Sequence, residues 1–363
     1  MLKSKLNLWR HGKGTTVKKW IAGLLTAFSL LGIPHGAGAQ SSIATPTIDK
    51  IKHKGLITCG VTDSQFSFAG VDSLGEWTGF DVDFCRAVAA ALMGDSKQVR
   101  FIQLGTGVRF QALKEKEVDV LFRNTTWTFE RDTMTGLDFA GVTFYDGQGF
   151  LVPKSLGVTS IKDLKNPTIC VVKHTTSYKH LLDYINKNGI KGWAIKTFET
   201  FEVGHRAFFS EECNVYTTDL SALYSMRAYY PPNPDDFVLL AETISKEPLG
   251  PMVRNDDPIW FDLIKWVVYV VVEAEERGIT SKNFEQVAES TLDPTVQFLL
   301  GVEPGIGKAF GLDDHWARRV IEQVGNYREI FERNLGPDTP MKMERGLNRP
   351  WTEGGLHYAI PVR

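Results

Sequence analysis

Short apolar segments with the composition of β-strands alternate with segments of helical periodicity along most of the chain. In a first series, predicted strands at 55–62, 98–104 and 118–122 are separated by predicted helices at 80–94 and 109–117. Strands that alternate with helices form parallel sheets, because each helix carries the chain back across one face of the sheet. The pattern therefore predicts an α/β fold with largely parallel sheets.

The same alternation begins again in the middle of the chain, without obvious sequence identity to the first series. An extended segment at 148–154 precedes the second series of predicted strands and helices, which lie at 168–173, 177–189, 194–198, 201–212, 213–218 and 219–230. Another extended segment follows at 246–254, and the chain from Asp256 onward is mostly helical. A chain of 363 residues is long enough for two domains.

We therefore predict two α/β lobes, with the second inserted into the first. The first lobe comprises residues 40–147 and 253–363 and includes a helical C-terminal extension. The second lobe comprises residues 148–252, which include two crossing segments near 148–153 and 246–252. Two lobes joined in this way predict a cleft with a hinge.

The first 39 residues have the pattern of a secretory signal peptide. Basic residues run up to Lys19, an uncharged apolar stretch follows at 20–33, and Ala37-Gly38-Ala39 matches an A-x-A cleavage pattern. The alternative is a permanent membrane anchor, but the apolar stretch is shorter than the about 20 residues that a bilayer requires. The sequence therefore predicts export and a mature protein that begins near Gln40.

The net charge of −2 provides no electrostatic argument for binding to nucleic acid. The four cysteines, Cys59, Cys85, Cys170 and Cys213, contain no CxxC motif. Export permits disulfides, and a bridge between the lobes would lock the hinge. We therefore expect the pairs Cys59–Cys85 and Cys170–Cys213, the alternative being four buried free thiols.

Polar segments follow three of the predicted strands, where open parallel sheets bind their ligands. These segments are "NTTWTFER" (124–131), "HTTSY" (174–178) and "TTD" (217–219), the last of which follows the strand residues 213–216. An arginine such as Arg131 binds a carboxylate through two parallel hydrogen bonds. Thr126 and Thr176 offer hydroxyl and backbone donors at predicted helix starts, and Asp219 can accept hydrogen bonds from an ammonium group. Together they predict a site for the zwitterionic head of an α-amino acid.

Each of these residues also has a purely structural interpretation. Arg131 could pair with a neighbouring acidic residue, and Thr176 and Asp219 could be helix N-caps. The aromatic residues of the region, Phe66, Phe68 and Trp127, could belong to the core. Only their joint placement at the predicted strand ends favours a binding site.

Several longer motifs resemble a known family. They include "WTGFDVDFCRAVAAAL", "RFQALKEKEVDVLFRNTTWTFERD", "CNVYTTDLSALYSMR" and "VGNYREIFERNLG", and they extend over nearly all of the chain after Gly55. The sequence resembles the periplasmic solute-binding proteins of polar amino acid ABC transporters, within them the general L-amino-acid branch. The resemblance implies a type II periplasmic-binding-protein-like fold, a monomer that holds no cofactor or metal, and delivery of L-amino acids to a permease in the inner membrane.

The resemblance also assigns roles to individual residues. It implies that Arg131 binds the substrate carboxylate, that Asn124 and Thr126 line the same side, and that Thr176 contributes from the second lobe. It implies that Asp219 holds the α-ammonium group. An aromatic residue near Phe66 or Phe68 would cover the substrate side chain, and Trp127 is a further candidate. One departure is His174, which stands where the family usually has glycine; we expect it to lie at the cleft rim, the alternative being a new side-chain contact.

Two other functions are compatible with this fold class, namely a dehydratase-like periplasmic enzyme and a soluble sensory co-ligand. The sequence contains no HExxH or G-x-S-x-G motif and no histidine pair at i,i+4 spacing. One acidic residue opposite an arginine is more typical of binding than of acid–base catalysis. We therefore expect a binding protein and not an enzyme.

Overall fold

The computed structural model describes residues 45–363, so the predicted signal peptide at 1–39 lies outside the described residues. The strands are β1 (Ile57–Val61), β2 (Gly70–Val71), β3 (Trp77–Thr78), β4 (Val99–Gln103), β5 (Val120–Leu121), β6 (Leu137–Phe139), β7 (Phe144–Asp146), β8 (Gln148–Pro153), β9 (Thr168–Val172), β10 (Ala194–Phe198), β11 (Val215–Asp219), β12 (Phe237–Leu239), β13 (Glu247–Leu249) and β14 (Met252–Arg254).

The helices are α1 (Pro46–Lys54), α2 (Phe80–Met93), α3 (Arg109–Lys114), α4 (Phe129–Thr133), α5 (Thr176–Lys187), α6 (Phe201–Phe209), α7 (Leu220–Tyr229), α8 (Pro258–Glu276), α9 (Phe284–Ser290), α10 (Pro294–Leu299), α11 (Trp316–Val324) and α12 (Tyr327–Asn334). Both predicted series of alternating elements are present. Helix α2 ends where the sequence predicts, because Gly94 adopts the left-handed conformation (φ 81°) that terminates helices.

Two five-stranded sheets form the centres of two lobes. The first sheet has the order β4-β1-β5-β14-β6 and the second has the order β10-β9-β11-β8-β12. Three neighbouring strands of each sheet are parallel, as the alternation of elements predicts. Strands β14 and β8 run antiparallel to their neighbours, so the sheets are mixed. The chain enters each of these two strands directly after it crosses between the lobes. Both strands therefore run opposite to their neighbours in the sheet.

The chain crosses between the two lobes along a pair of short strands. Strands β7 and β13 pair antiparallel, and Asp146 faces Glu247 in their register. We call these two strands the crossing pair. Residues 148–153 form β8 within the second sheet, so the first crossing lies a few residues earlier than the sequence predicts.

Helices cover both faces of the first sheet. Helix α2 packs against β1, α3 packs against β5 and β14 in a separate apolar cluster, and α8, α11 and α12 pack around α2. Every residue of β1 is buried, as expected for a strand covered on both faces. The C-terminal helical extension is therefore part of the first lobe's core. Among residues 45–363, no helix combines the length and apolar character that crossing a bilayer requires.

Each lobe contains one disulfide, and the pairing is the one expected from the sequence. Cys59 of β1 is bonded to Cys85 of α2, with their Cα atoms 6.1 Å apart. Cys170 of β9 is bonded to Cys213, which precedes β11, with their Cα atoms 5.8 Å apart. Both bridges are buried, and each ties elements of a single lobe together.

Candidate functional site

A narrow cavity lies between the two lobes at the carboxyl ends of the parallel strands. The first lobe lines it with Thr106, Arg109, Arg123, Asn124, Thr126 and Arg131. The second lobe lines it with Thr175, Thr176, Ser177, Phe201, Thr218 and Asp219. Its volume is about 30 Å³, far below the several hundred Å³ of a typical ligand pocket. An amino acid would therefore require the lobes to separate.

Arg131 lies on α4 with its guanidinium group at this cavity. Thr128 begins the helix by accepting a hydrogen bond from the backbone N–H of Arg131 (3.3 Å). The Nη1 atom of Arg131 donates to the carbonyl oxygen of Thr126 (2.9 Å). The neighbouring Glu130 instead pairs with Lys179 of the second lobe (2.7 Å), which argues against a surface pair between Glu130 and Arg131. Burial lowers the pKa of Arg131, while the carboxylates of Asp219 and Glu247 oppose that shift.

The hydroxyl groups of Thr126 and Thr176 approach each other from opposite lobes. Their Oγ1 atoms lie 3.4 Å apart, and both residues are buried. The N-cap of α5 is Thr175, whose side chain accepts from the backbone N–H of Tyr178 (3.1 Å). The interpretation of Thr176 as an N-cap is therefore wrong, because Thr176 is the first residue inside the helix.

Asp219 is the last residue of β11 and stands at the N-cap position of α7, but its side chain makes no capping hydrogen bond. The segment 217–219 thus belongs to the strand and does not follow it. Ser177 Oγ lies 3.5 Å from Asp219 Oδ1. Burial raises the pKa of Asp219 well above its ordinary value, and the negative charges of Glu247 and Asp146 raise it further. A buried carboxylate without a capping role is suited to a cationic ligand group.

Two further carboxylates, those of Asp146 and Glu247, lie on the crossing pair and act electrostatically on Asp219. Asp146 Oδ1 accepts from the backbone N–H of Gly147 (2.8 Å), and burial raises the pKa of Asp146 to about 6. Glu247 Oε1 lies 2.8 Å from His180 Nδ1 and 2.5 Å from Ser245 Oγ. Sequence reasoning missed both residues, because their proximity to Asp219 depends on how the crossing strands pair.

Asn124 lies at the cavity in the left-handed region (φ 33°), which asparagine tolerates better than most residues. Its backbone N–H donates to Asp81 Oδ2 (3.0 Å), and its side chain donates to Gln65. Burial raises the pKa of Asp81 to about 7, although the bond from Asn124 and the charge of Arg123 oppose that increase. Asp81 and Gln65 therefore hold Asn124 in place at the edge of the cavity.

The three candidate aromatic residues lie outside this cavity. Phe68 is fully buried in the core against Phe80 and Phe144, with ring centroids 5.5 and 5.6 Å away. Trp127 stacks on Phe139 at 5.4 Å and lines a separate pocket beside α8.

Phe66 is half exposed and stacks on Tyr229 of the second lobe at 5.6 Å. It is therefore a contact between the lobes.

His174 has a positive φ of 60°, which explains why glycine suits this position. Its side chain is 73% exposed and its Nε2 atom lies 3.9 Å from Glu199, away from the cavity lining.

Sequence reasoning also missed two arginines. Arg109 is the first residue of α3, and Arg123 lies two residues after the end of β5. Both line the same cavity as Arg131. Arg123 stands beside the predicted motif at 124–131, and that position was the only signal available in the sequence. The cavity thus carries three guanidinium groups from the first lobe and the carboxylate of Asp219 from the second.

Two mixed α/β lobes joined by a crossing pair, with cationic groups on one side of the cleft and a carboxylate on the other, define a two-lobed solute-binding protein. The chain belongs to family 3 of the bacterial extracellular solute-binding proteins, whose model matches residues 57–286. The family predicted from the sequence motifs is therefore confirmed.

Similar proteins agree with this assignment. The chain is 48% identical over 327 residues to the glutamate/glutamine/aspartate/asparagine-binding protein BztA of Rhodobacter capsulatus, an alignment covering 90% of this chain and 95% of the relative. It is 46% identical over 328 residues to the general L-amino acid-binding periplasmic protein AapJ of Rhizobium johnstonii, covering 90% and 95%. Both relatives are named as binding proteins and not as enzymes.

A solved structure of an ABC transporter periplasmic binding protein from Brucella ovis with glutathione bound superposes with a TM-score of 0.84. The two chains are 46% identical, and the match covers 87% of this chain and 99% of that one. The overall fold is thus shared with an experimentally determined periplasmic binding protein.

Proposed function

We propose that the protein captures free L-amino acids between its lobes and delivers them to the membrane permease of an ABC importer. This proposal rests on one observation, the presence of Arg131 and Asp219 on opposite lobes of the same cavity. Asp219 makes no capping hydrogen bond, so capping does not explain its position. A guanidinium group binds a carboxylate through two parallel hydrogen bonds, and a carboxylate accepts from an ammonium group. The names of BztA and AapJ support the same ligand class.

In this proposal Arg131 holds the α-carboxylate and Asp219 holds the α-ammonium group. Thr126 and Thr176 contribute hydroxyl groups from the two lobes, and Asn124 completes the wall beside Arg131. The lobes separate about the crossing pair to admit the ligand and close on it. Closure removes water from the ionic contacts and thereby strengthens them, and the ligand-bound closed form is the one that the permease recognises.

The proposal includes the cellular setting. Residues 1–39 act as a cleaved signal peptide, and the mature protein works in the periplasm as a monomer. The crossing pair acts as the hinge between a first lobe of residues 40–147 and 253–363 and a second lobe of residues 148–252. The name of AapJ, a periplasmic protein, supports this location.

The test is a calorimetric titration of the mature protein, after unfolding and refolding to remove bound ligand, against a panel of L-amino acids. D-isomers and acetate serve as controls. We expect dissociation constants near micromolar, about −8 kcal/mol, for several L-amino acids and for neither control. Equal binding of D- and L-isomers, or no binding of any amino acid, would contradict the proposal.

A further inference from the structure

The proposed function assigns no role to two of the three arginines that line the cavity. Arg109 and Arg123 are both buried, with 3% and 5% of their surfaces exposed, and both line the cavity beside Arg131. The head group of an α-amino acid has one carboxylate, which Arg131 is placed to receive. The other two guanidinium groups therefore need a different explanation.

Arg109 is incompletely paired within the protein. Its Nη1 atom donates to the carbonyl oxygen of Thr106, but its Nε atom is buried without a hydrogen-bond partner among residues 45–363. The guanidinium group stacks over the ring of Phe110 at 4.3 Å. A buried donor that lacks a partner, on a charged group, is energetically unfavourable, so the guanidinium group of Arg109, which lines the cavity, is a candidate for contact with a ligand.

Arg123 is held in a fixed position. Its Nε atom donates to the carbonyl oxygen of Leu104 (3.0 Å), and its Nη2 atom contacts Thr106 Oγ1 (3.2 Å) and Asp63 Oδ1 (3.4 Å). Asp63 is partly exposed, at 38% of its side chain, so this ion pair is screened by solvent. Arg123 is thus oriented next to Arg109 without being fully neutralised.

The charges around Arg109 favour an additional anion. Burial lowers the pKa of Arg109, and the neighbouring positive charges of Arg123 and Arg131 lower it further. The acidic groups Asp219 and Asp63 act in the opposite direction. Within the described part of the chain, no carboxylate forms a hydrogen bond with Arg109, whose one bond is to a backbone carbonyl. The proposed function assigns the single α-carboxylate of the head group to Arg131, so Arg109 and Arg123 are left without an anionic partner from the head group.

We propose that Arg109 and Arg123 form a second anion subsite, which receives a carboxylate carried by the side chain of the ligand. This inference rests on the proposed function, because it assumes that Arg131 and Asp219 hold the α-amino-acid head group. A guanidinium fork matches a carboxylate geometrically and pairs with it through charge-assisted hydrogen bonds. The protein therefore selects α-amino acids whose side chain ends in a carboxylate over those that end in an amide.

Two kinds of ligand carry this chemistry. The second carboxylate belongs either to the side chain of a free acidic amino acid or to the terminus of a small γ-linked peptide. The Brucella ovis structure with glutathione bound is a precedent for the second kind in a periplasmic binding protein that is 46% identical to this chain. The experiment must therefore include both.

The test is a calorimetric comparison of L-glutamate, L-glutamine and glutathione on refolded wild-type protein and on Arg109→Gln. L-Glutamate and L-glutamine have nearly the same shape and differ in the charge that the subsite would recognise. For wild type we expect L-glutamate or glutathione to bind at least about tenfold more tightly than L-glutamine. Arg109→Gln should remove that preference while its affinity for L-glutamine stays within about threefold of wild type.

The matched control is Arg206→Gln, which neutralises an exposed arginine paired with Glu202 on the surface of α6; it should leave all three affinities unchanged. L-Glutamine binding by Arg109→Gln shows that the variant is folded. Should that variant not fold, the wild-type preference alone still tests the inference. If L-glutamine binds wild type as tightly as L-glutamate and glutathione do, the second anion subsite is wrong but the proposed function stands. No binding of any of the three ligands would overturn both.

Discussion

Asp146 and Glu247 face each other in the register of the crossing pair, and both act electrostatically on Asp219. Three carboxylates therefore meet where the lobes join and where the ligand ammonium group is proposed to bind. This clustering disfavours ionisation of Asp219 in the ligand-free protein, whereas an ammonium group favours it. The arrangement couples ligand binding to proton release.

The first prediction concerns this proton. The pKa of Asp219 is raised in the free protein, and a bound ammonium group lowers it, so binding expels a proton. The affinity should therefore increase as the pH rises through the raised pKa and become constant above it. Calorimetry at mildly acidic pH in two buffers with different ionisation enthalpies measures the released proton directly. Identical observed enthalpies in the two buffers would rule out this linkage.

A second prediction uses Asp219→Asn to separate the binding role from the capping role. Removing the carboxylate should weaken amino-acid binding about 100-fold, since a buried charge-assisted contact is worth about 2–5 kcal/mol. The free energy of unfolding should not fall, because the side chain makes no capping bond and its charge is buried. A loss of about 1 kcal/mol of stability with unchanged affinity would identify Asp219 as an ordinary N-cap instead.

The third prediction concerns the shape of the carboxylate-binding group. Arg131→Lys retains the positive charge but loses the planar fork, and Arg131→Ala loses both. We expect Arg131→Ala to remove most binding and Arg131→Lys to be intermediate, with both variants folded by circular dichroism. The control is Lys179→Ala, which breaks an exposed contact between the lobes with Glu130 and should change the affinity little. Wild-type affinity in Arg131→Ala would show that this residue does not hold the ligand.

A fourth prediction concerns His174, which occupies a left-handed backbone position directly before Thr175 of the cavity lining. His174→Gly removes an exposed ring and replaces it with the residue that adopts positive φ most readily. We expect the dissociation constants to stay within about twofold and the thermal midpoint not to decrease. A selective loss of affinity for some amino acids would instead make His174 a side-chain contact.

The fifth prediction concerns the disulfide between Cys59 and Cys85, which closes a loop with a sequence separation of 26. The double variant Cys59→Ala/Cys85→Ala should lose about 3 kcal/mol of unfolding free energy, because the unfolded chain gains conformational entropy. Affinity should not change, since both residues lie in the core of the first lobe and away from the cavity. Denaturant unfolding of both proteins measures the difference, and equal midpoints would contradict it.

Much of the fold and part of the site follow from local sequence patterns. The strands and helices were predictable because apolar periodicity and helix-ending residues such as Gly94 are local signals. Arg131, Thr126, Thr176 and Asp219 were predictable as neighbours because strand ends in parallel sheets meet at one edge. The disulfide pairing followed from the two-lobe topology.

The remaining features depend on information that no local pattern carries. The antiparallel strands β8 and β14 follow from the path of the crossing segments. Composition does not distinguish a core aromatic such as Phe68 from a cleft aromatic, because both are apolar. Arg109 resembles any surface arginine of an amphipathic helix in the sequence, and only the structure shows that it is buried at the cavity.

The central claim is that both ends of an amino-acid head group are recognised. The most direct measurement titrates the refolded protein with the L-amino acid that binds it most tightly, and with two analogues of it. One analogue has an amide in place of the α-carboxylate, and the other has an acetylated α-amine. We predict that each analogue binds at least about 100-fold more weakly, because each leaves Arg131 or Asp219 buried without its partner. An analogue that binds as tightly as the free amino acid would contradict the assignment of that end of the site.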